Sequence, residues 1–325
     1  MPGNTQRSGT AVAIGQGFLG FALVTTGVVA TLATILGFFG SSWWLFDWAA
    51  NFRPHLAVIL IIVALAYSLL FAKVTGLFFL AMALVNIAVI LPLYTRSPAA
   101  AAGTADLKVV SFDVAQRSSI RDITYQWIES VEPDIVILLD STDPWQSVPA
   151  LAEPYRVQTE LPADRAFGIT VLSRDDLETQ LLRASQVNDS VVRIEAALGT
   201  QPIVIYAVQT RIPNSEGNAT YRNEYLEDVA EMVRSESLPT VVVGDLNATP
   251  WSSAFRALTS KADLENSMDG FGLQTSWPAD RWAFMRLPMD HLLHTAELTT
   301  ISRELGPTFG VDHRPLIVTL AMAAG

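Results

Sequence analysis

Thr240–Trp251, TVVVGDLNATPW, decides how the chain is read. Three successive β-branched valines, Val241, Val242 and Val243, favour a buried strand, Gly244 lets the backbone leave it sharply, and Asp245 and Asn247 follow at its C-terminal end. In α/β layers ligands collect at the C-terminal ends of strands, where a carboxylate beside an amide offers a base or metal ligand next to a neutral donor. Taken alone, GDLN is also a polar turn whose Asp and Asn bond their own backbone. The flanking sequence decides between the two.

Immediately upstream, Tyr221–Arg234 carries Tyr225, Leu226, Val229, Met232 and Val233 on one side, an amphipathic helix leading into the strand. Downstream, Ser252–Ser260 reads as a short helix capped by Ser252 or Ser253. Farther out, Leu107–Val114, Asp134–Asp140, Phe167–Arg174, Val191–Leu198 and Ile203–Gln209 read as strands. Between the first two, Ile120, Ile123, Trp127, Ile128 and Val131 fall at helical spacing, and Pro133 ends that helix. Leu292–His294, Leu298–Arg303 and Leu316–Leu320 supply the last strands. About nine or ten strands with a few helices suffice for two sheets packed face to face with helices outside.

The first third has a different composition. Up to Ala105 the only charged side chains are Arg7, Asp47, Arg53, Lys73 and Arg96, whereas 17 of the 21 Lys and Arg and 31 of the 32 Asp and Glu come after it. Uncharged runs as long as the ~20 residues of a bilayer core predict a transmembrane region over 1–96, with helices at 11–39, 56–72 and 75–95. The first run is too long for a signal peptide and is followed by further spans. Small uncharged residues over 97–105, SPAAAAGTA, predict a tether, and 106–325 a soluble domain with a formal charge near -14. Trp43, Trp44, Phe46 and Trp48 suit the water interface. Gly15, Gly17, Gly20 and Gly27 offer a small-residue face, either for close packing within the bundle or for other membrane proteins.

With Arg7 and Lys73 on one side and Arg53 and Arg96 on the other, the positive-inside count is tied. The expectation is an N-terminus in the cytoplasm of a bacterium and a C-terminal domain outside its inner membrane. The acidic domain disfavours unspecific capture of nucleic acid. The lack of cysteine excludes disulfides, thiolate metal sites and cysteine nucleophiles.

Seven stretches in chain order, LKVVSFDV, DIVILLDST, FGITVLSR, IVIYAVQTRIP, GDLNATPWSSAFRAL, MDHLLHT and GVDHRPLIVTL, resemble the successive motifs of the endonuclease/exonuclease/phosphatase superfamily. The resemblance covers nearly all of 107–321, and GDLNATPWSSAFRAL and DHRPLIV are its specific parts. It implies an α+β chain in which the transmembrane bundle precedes a four-layer α/β sandwich of the DNase I type. It also implies a divalent-metal phosphoesterase, in a superfamily that includes DNase I, apurinic endonucleases, sphingomyelinases and inositol-phosphate phosphatases. A membrane-spanning bundle ahead of such a domain resembles a bacterial subgroup.

Phosphate-ester hydrolysis needs a water made nucleophilic, a cation on the phosphate oxygens, and an acid or polariser at the leaving side. By the resemblance, Asp245 orients and deprotonates the water, Asn247 holds a phosphate oxygen, and His313 stabilises or protonates the phosphoryl group while Asp290 fixes its tautomer. Asp113, Asp140 and Asp312 are then the ligands of Mg²⁺ or Mn²⁺. His291, His294, Arg314 and Pro315 read as framework.

Four positions depart from the superfamily pattern: Asp113 stands in place of Asn, Asp140 of Glu, Gln209 of His, and Val311 of Ser. Asp113 keeps an oxygen ligand and Asp140 is one methylene shorter. Gln209 can donate a hydrogen bond to phosphate but cannot transfer a proton. Two classes of function follow. One is a membrane-anchored phosphoesterase acting on a lipid-linked or envelope phosphate, with a membrane-tethered nuclease as its variant. The other is a degenerate domain retained for binding in a membrane assembly.

Overall fold

The computed structural model describes residues 4–141, 145, 155–161 and 168–324. The chain forms two units, Met1–Leu91 and Pro92–Gly325. The first contains α1 (Asn4–Leu36), α2 (Trp44–Ala50), α3 (Arg53–Leu70) and α4 (Lys73–Ile90). Among the described residues three stretches are long and apolar enough to cross a membrane: Gly15–Phe39, Arg53–Leu70 and Lys73–Ile90. The third helix ends at Ile90 rather than near Thr95, and Pro92, which has no N–H for the helix ladder, opens a separate turn, α5 (Pro92–Thr95). Gly20 and Gly27 lie against the rings of Phe71 and Phe79, so these two glycines pack within the bundle. Arg53 is buried, its Nη1 donating to Thr34 O at 2.9 Å and Asn86 Oδ1 at 3.2 Å, with the guanidinium 4.0 Å from the Phe38 ring centroid. A cation among apolar helices needs such partners.

In the second unit β1 (Ala101–Asp113), α6 (Arg121–Val131) and β2 (Ile135–Leu139) are followed by β3 (Arg156–Leu161) and β4 (Ile169–Ser173). Phe167, at the head of the strand expected over Phe167–Arg174, lies outside the described residues. Next come β5 (Glu178–Ala184), β6 (Asp189–Leu198), β7 (Gln201–Gln209), α7 (Glu216–Ser235), β8 (Thr240–Asp245) and α8 (Ser253–Ala262). The chain closes with β9 (Glu265–Asn266), β10 (Asp290–His294), β11 (Leu298–Leu305) and β12 (Leu316–Ala323). Ser252 caps α8 by accepting from Phe255 N.

Two six-stranded sheets result, ordered β11-β12-β1-β2-β4-β3 and β5-β6-β7-β8-β10-β9. Each holds one parallel pair, β1 with β2 and β7 with β8, joined by α6 and α7 respectively. Leu107, Val109, Ile203, Ile205, Val241 and Val243 fill the space between the sheets. The alternate residues Val110 and Phe112 pack with Tyr125 and Ile128 of α6, and Val204 and Val242 with Val229 of α7 and Phe255 of α8. The layers are therefore helix, sheet, sheet, helix, the mixed α/β sandwich expected.

The tether expected over 97–105 is instead held to this fold at its middle. Thr299 Oγ1 donates to Ala99 O at 2.7 Å, Ala324 N to Ala100 O at 2.7 Å, and β1 begins at Ala101. Alanine brings no side chain that conflicts with these contacts; the pairing with β12 starts at Ala101, is irregular as far as Asp106, and is regular from there on. Just before it, Leu93 O accepts from Gly270 N (2.9 Å) and Gly272 N (2.8 Å), both glycines at positive φ.

Candidate active site

Strand alternation builds the site. In β1, β7 and β8 the inward stripes Leu107–Val109, Ile203–Ile205–Ala207 and Val241–Val243 continue, two residues on, to Asp113 through Ser111, to Gln209 and to Asp245. Asp290 precedes the inward Leu292 on β10, opposite Asp245 in the register, and Gln209 is opposite Asp245 on its other side. The polar ends of the inter-sheet core therefore meet at the C-terminal ends of the two parallel pairs. Gly244, at φ 147°, makes this possible: a Cβ there would run into the Val208 carbonyl of the neighbouring strand.

One oxygen each of Asp113 and Asp245 and one ring nitrogen of His313 lie within 4.8 Å of one another, all three residues buried. His313 Nδ1 is 2.9 Å from Asp290 Oδ2, and Asp290 N donates to Ser276 Oγ at 3.2 Å. The expected Asp290–His313 pair and the facing Asp245 thus stand together.

Asn247 sits at φ 45°, and its backbone N–H reaches Asp245 Oδ1 at 2.9 Å. Its Nδ2 donates to Asp245 Oδ2 (2.6 Å) and Thr210 O (3.0 Å), so both amide protons are engaged within the site. Asn247 therefore braces the Asp245 carboxylate in this structure. Arg222 of α7 holds the Asn247 carbonyl at 3.0 Å. Gln209 is likewise committed: its Nε2 donates to Asp113 Oδ2 at 2.7 Å, and its Oε1 accepts from Asp140 N at 2.9 Å.

Asp140 and Asp312 are placed differently from Asp113. At φ 48° Asp140 leaves the strand alternation, and its Oδ1 accepts from Gln116 Nε2 at 2.8 Å. Asp312 Oδ2 accepts from Trp277 Nε1 at 3.3 Å; burial raises the Asp140 pKa, against the Gln116 hydrogen bond, and the Asp312 charge adds to the rise. The tight cluster is therefore Asp113, Asp245 and His313, with Asp140 and Asp312 as a second acidic pair beside it.

Burial pushes Asp113 up to about 7; His313 opposes the shift, and Asp140 and Asp290 add to it. Burial likewise holds Asp245 well above the carboxylate range, against the pull of His313. For Asp290 burial is outweighed by His313 and Ser276, so its carboxyl stays below the usual value. Burial would neutralise His313, but Asp290, Asp113 and Asp245 together hold the ring charged well above pH 6.5. Crowded buried carboxylates of raised pKa are what a divalent cation relieves, and carboxylate oxygens suit a hard ion. The acidic side of this buried cluster fits a metal ion, and His313, held charged, stands beside it as an N–H donor.

His291 and His294 are framework, as expected, but for two different reasons. His291 lies on the opposite face of β10, its Nε2 2.8 Å from Ala248 O and its ring 4.8 Å from that of Phe255. His294 shares the face of Asp290 yet sits four positions along the strand, ~13 Å away. Arg314 holds the carbonyls of Leu305 and Gly306. Sequence reasoning missed Gln116, Ser276, Trp277 and Arg303. The last is fully buried, donates to Ser267 Oγ and to Asp290 O at 3.2 Å, and is pushed down to about 9 by burial. No spacing rule marks these four.

A sequence profile described as Endonuclease/Exonuclease/phosphatase family matches residues 121–319. No curated protein matches the chain. Among solved structures, an endonuclease/exonuclease/phosphatase from Beutenbergia cavernae aligns with a TM-score of 0.53 at 16% identity, covering 68% of this chain and 72% of that one. The mannosyl-6-phosphatase Bt3783 of Bacteroides thetaiotaomicron gives 0.53 at 15% identity, covering 66% and 100%. Truncated TDP2 of Caenorhabditis elegans gives 0.51 at 12% identity, covering 66% and 98%. Identities this low speak for the fold alone. The profile spans more than half of the chain and takes in Asp140, Gln209, Asp245, Asp290 and His313, and by it the chain belongs to the endonuclease/exonuclease/phosphatase family.

Proposed function

We propose that this chain is a membrane-anchored, divalent-metal-dependent phosphoesterase. The observation that carries the reading is the meeting of Asp113, Asp245 and His313 within 4.8 Å, with His313 held by Asp290. Asp113 and Asp140, with Asp312 beside Asp140, would hold Mg²⁺ or Mn²⁺, which supplies positive charge to the phosphate oxygens when bound. Asp245, fixed by Asn247, takes the proton of the attacking water as the new O–P bond forms. His313, charged through Asp290, offers an N–H to the phosphoryl oxygens as the ester P–O bond breaks. The leaving alkoxide takes a proton from solvent. Gln209 transfers no proton and positions Asp113.

Calorimetry with Mg²⁺ or Mn²⁺ and turnover of phosphodiester and phosphomonoester panels test this together. Asp140→Ala is expected to abolish ion binding. Asp245→Ala is expected to keep the ion and lower hydrolysis by about a hundredfold or more, since it removes the base. The binding-module reading draws on Gln209 and on the substitutions at Asp113 and Asp140. An inactive parent that gains metal-dependent turnover in the triple variant Asp113→Asn, Asp140→Glu and Gln209→His would establish that reading instead.

A further inference from the structure

The loop closed by the Trp277–Leu287 bridge rises beside the site. Its base is bound to the catalytic end: Ala279 N donates to Asp312 O at 2.6 Å, Trp277 Nε1 to Asp312 Oδ2, and the Trp277 ring lies 6.5 Å from that of His313. Arg286 stiffens it through the Ala279 and Arg281 carbonyls. At its tip Trp282 is 77% and Phe284 71% exposed, with Met285 beside them. The two rings contact each other at 6.3 Å, turned out to solvent.

Elsewhere among the described residues of the second unit the exposed aliphatic side chains Ile123, Leu181, Ile212 and Ile301 stand singly, which is ordinary for a soluble surface. A tip of tryptophan, phenylalanine and methionine is not. Its flanks carry Arg281, largely exposed and 3.6 Å from the equally exposed Asp280, and Arg286, two cations to one acid in a domain that is otherwise strongly acidic. Aromatic rings flanked by arginine match the boundary between lipid headgroups and acyl chains, where the rings find apolar contact and the cations meet anionic phosphates. The same chain carries three helices able to cross a membrane.

We propose that the Trp277–Leu287 loop seats in a lipid surface through Trp282, Phe284 and Met285, and that the esters delivered to the site are phosphates of membrane lipids. The second half rests on the phosphoesterase reading; the first does not.

Because the chain has no cysteine, Phe284→Cys provides a single labelling position, and Ile301→Cys an aqueous control. The full-length protein in nanodiscs of phosphatidylethanolamine and phosphatidylglycerol, nitroxide-labelled at one position, is titrated with oxygen and with a water-soluble nickel chelate. At 284 the label is expected to be reached by oxygen and shielded from nickel, and at 301 the reverse. A label at 284 that stays open to nickel, with or without added vesicles of the same lipids, overturns the proposal. Shielding from both reagents marks a protein contact and overturns it too.

Turnover is read in parallel on para-nitrophenyl phosphate and its bis ester in solution, and on phosphatidic acid and phosphatidylglycerol in vesicles. The double variant Trp282→Ser, Phe284→Ser is expected to keep the soluble activity and lose about tenfold or more on vesicles. Equal loss on both, or no loss on vesicles, overturns the proposed substrate class. A wild-type chain inactive on every ester sinks the phosphoesterase reading and with it the substrate class, while the label at 284 still decides the seating.

Discussion

At Gln209 one side chain ties two site strands together: its amide donates to the Asp113 carboxylate while its carbonyl receives the Asp140 N–H. Gln209→Leu leaves a buried carboxylate oxygen and a backbone donor without partners. It is expected to cost about 2 kcal/mol of stability by denaturant unfolding, with Gln209→Glu at least as damaging because it sets a second acid against Asp113. His291 gives a pH signature. Burial, aided by Arg303, lowers it from 6.5 to about 4, so the unfolded chain takes the proton first. Its contribution to stability is full above pH 6.5 and is lost as pH falls through about 4, roughly 3 kcal/mol in all. Glutamine can stay neutral and still donate to Ala248 O. His291→Gln should therefore flatten the slope of unfolding free energy between those pH values, and an unchanged slope would assign the acid sensitivity to other groups. Such roles were only partly legible. Asp245, Asp290 and His313 could be placed because residue type and motif order carry them. The orientation of Asn247 and Asp140 could not, because each sits at positive φ and so departs from strand alternation.

The strands that carry the site were readable because they are central and buried on both faces, as in IVILL of β2 and TVVVGD of β8. β3 and β5 were not. They are the outer strands of their sheets, and β5 is mostly exposed or half-exposed, so neither apolar density nor clean alternation marks it. Between β7 and β8 the fold depends on one contact that no side chain tolerates, the approach of Gly244 to Val208 O. Gly244→Ala should force the strands apart where Gln209 and Asp245 are in register. The expected loss is roughly 3 kcal/mol or more, read as a lowered melting temperature and, in any folded fraction, as weaker metal binding. A variant as stable as the parent would mean that β8 can shift without loss.

For the molecule as a whole, composition alone separated an apolar first unit from an acidic second one, whereas the join between them was misread because alanine and glycine carry no pattern. Topology remains an expectation open to a direct test. A reporter active only outside the cytoplasm, fused after Arg96, should be active, and a cytoplasm-only reporter silent; the opposite result would place the candidate site inside the cell. Residues 92–100 also bear on how long the domain stays where it is made. A protease needs a run of chain it can draw out into its cleft, and here Leu93, Ala99 and Ala100 are each hydrogen-bonded to the domain they would otherwise release. Mild trypsin or subtilisin treatment should accordingly nick exposed loops elsewhere before any fragment that starts between residues 92 and 100 appears. A join held in this way should slow release of the domain from the helices, so that the turnover of the two is coupled.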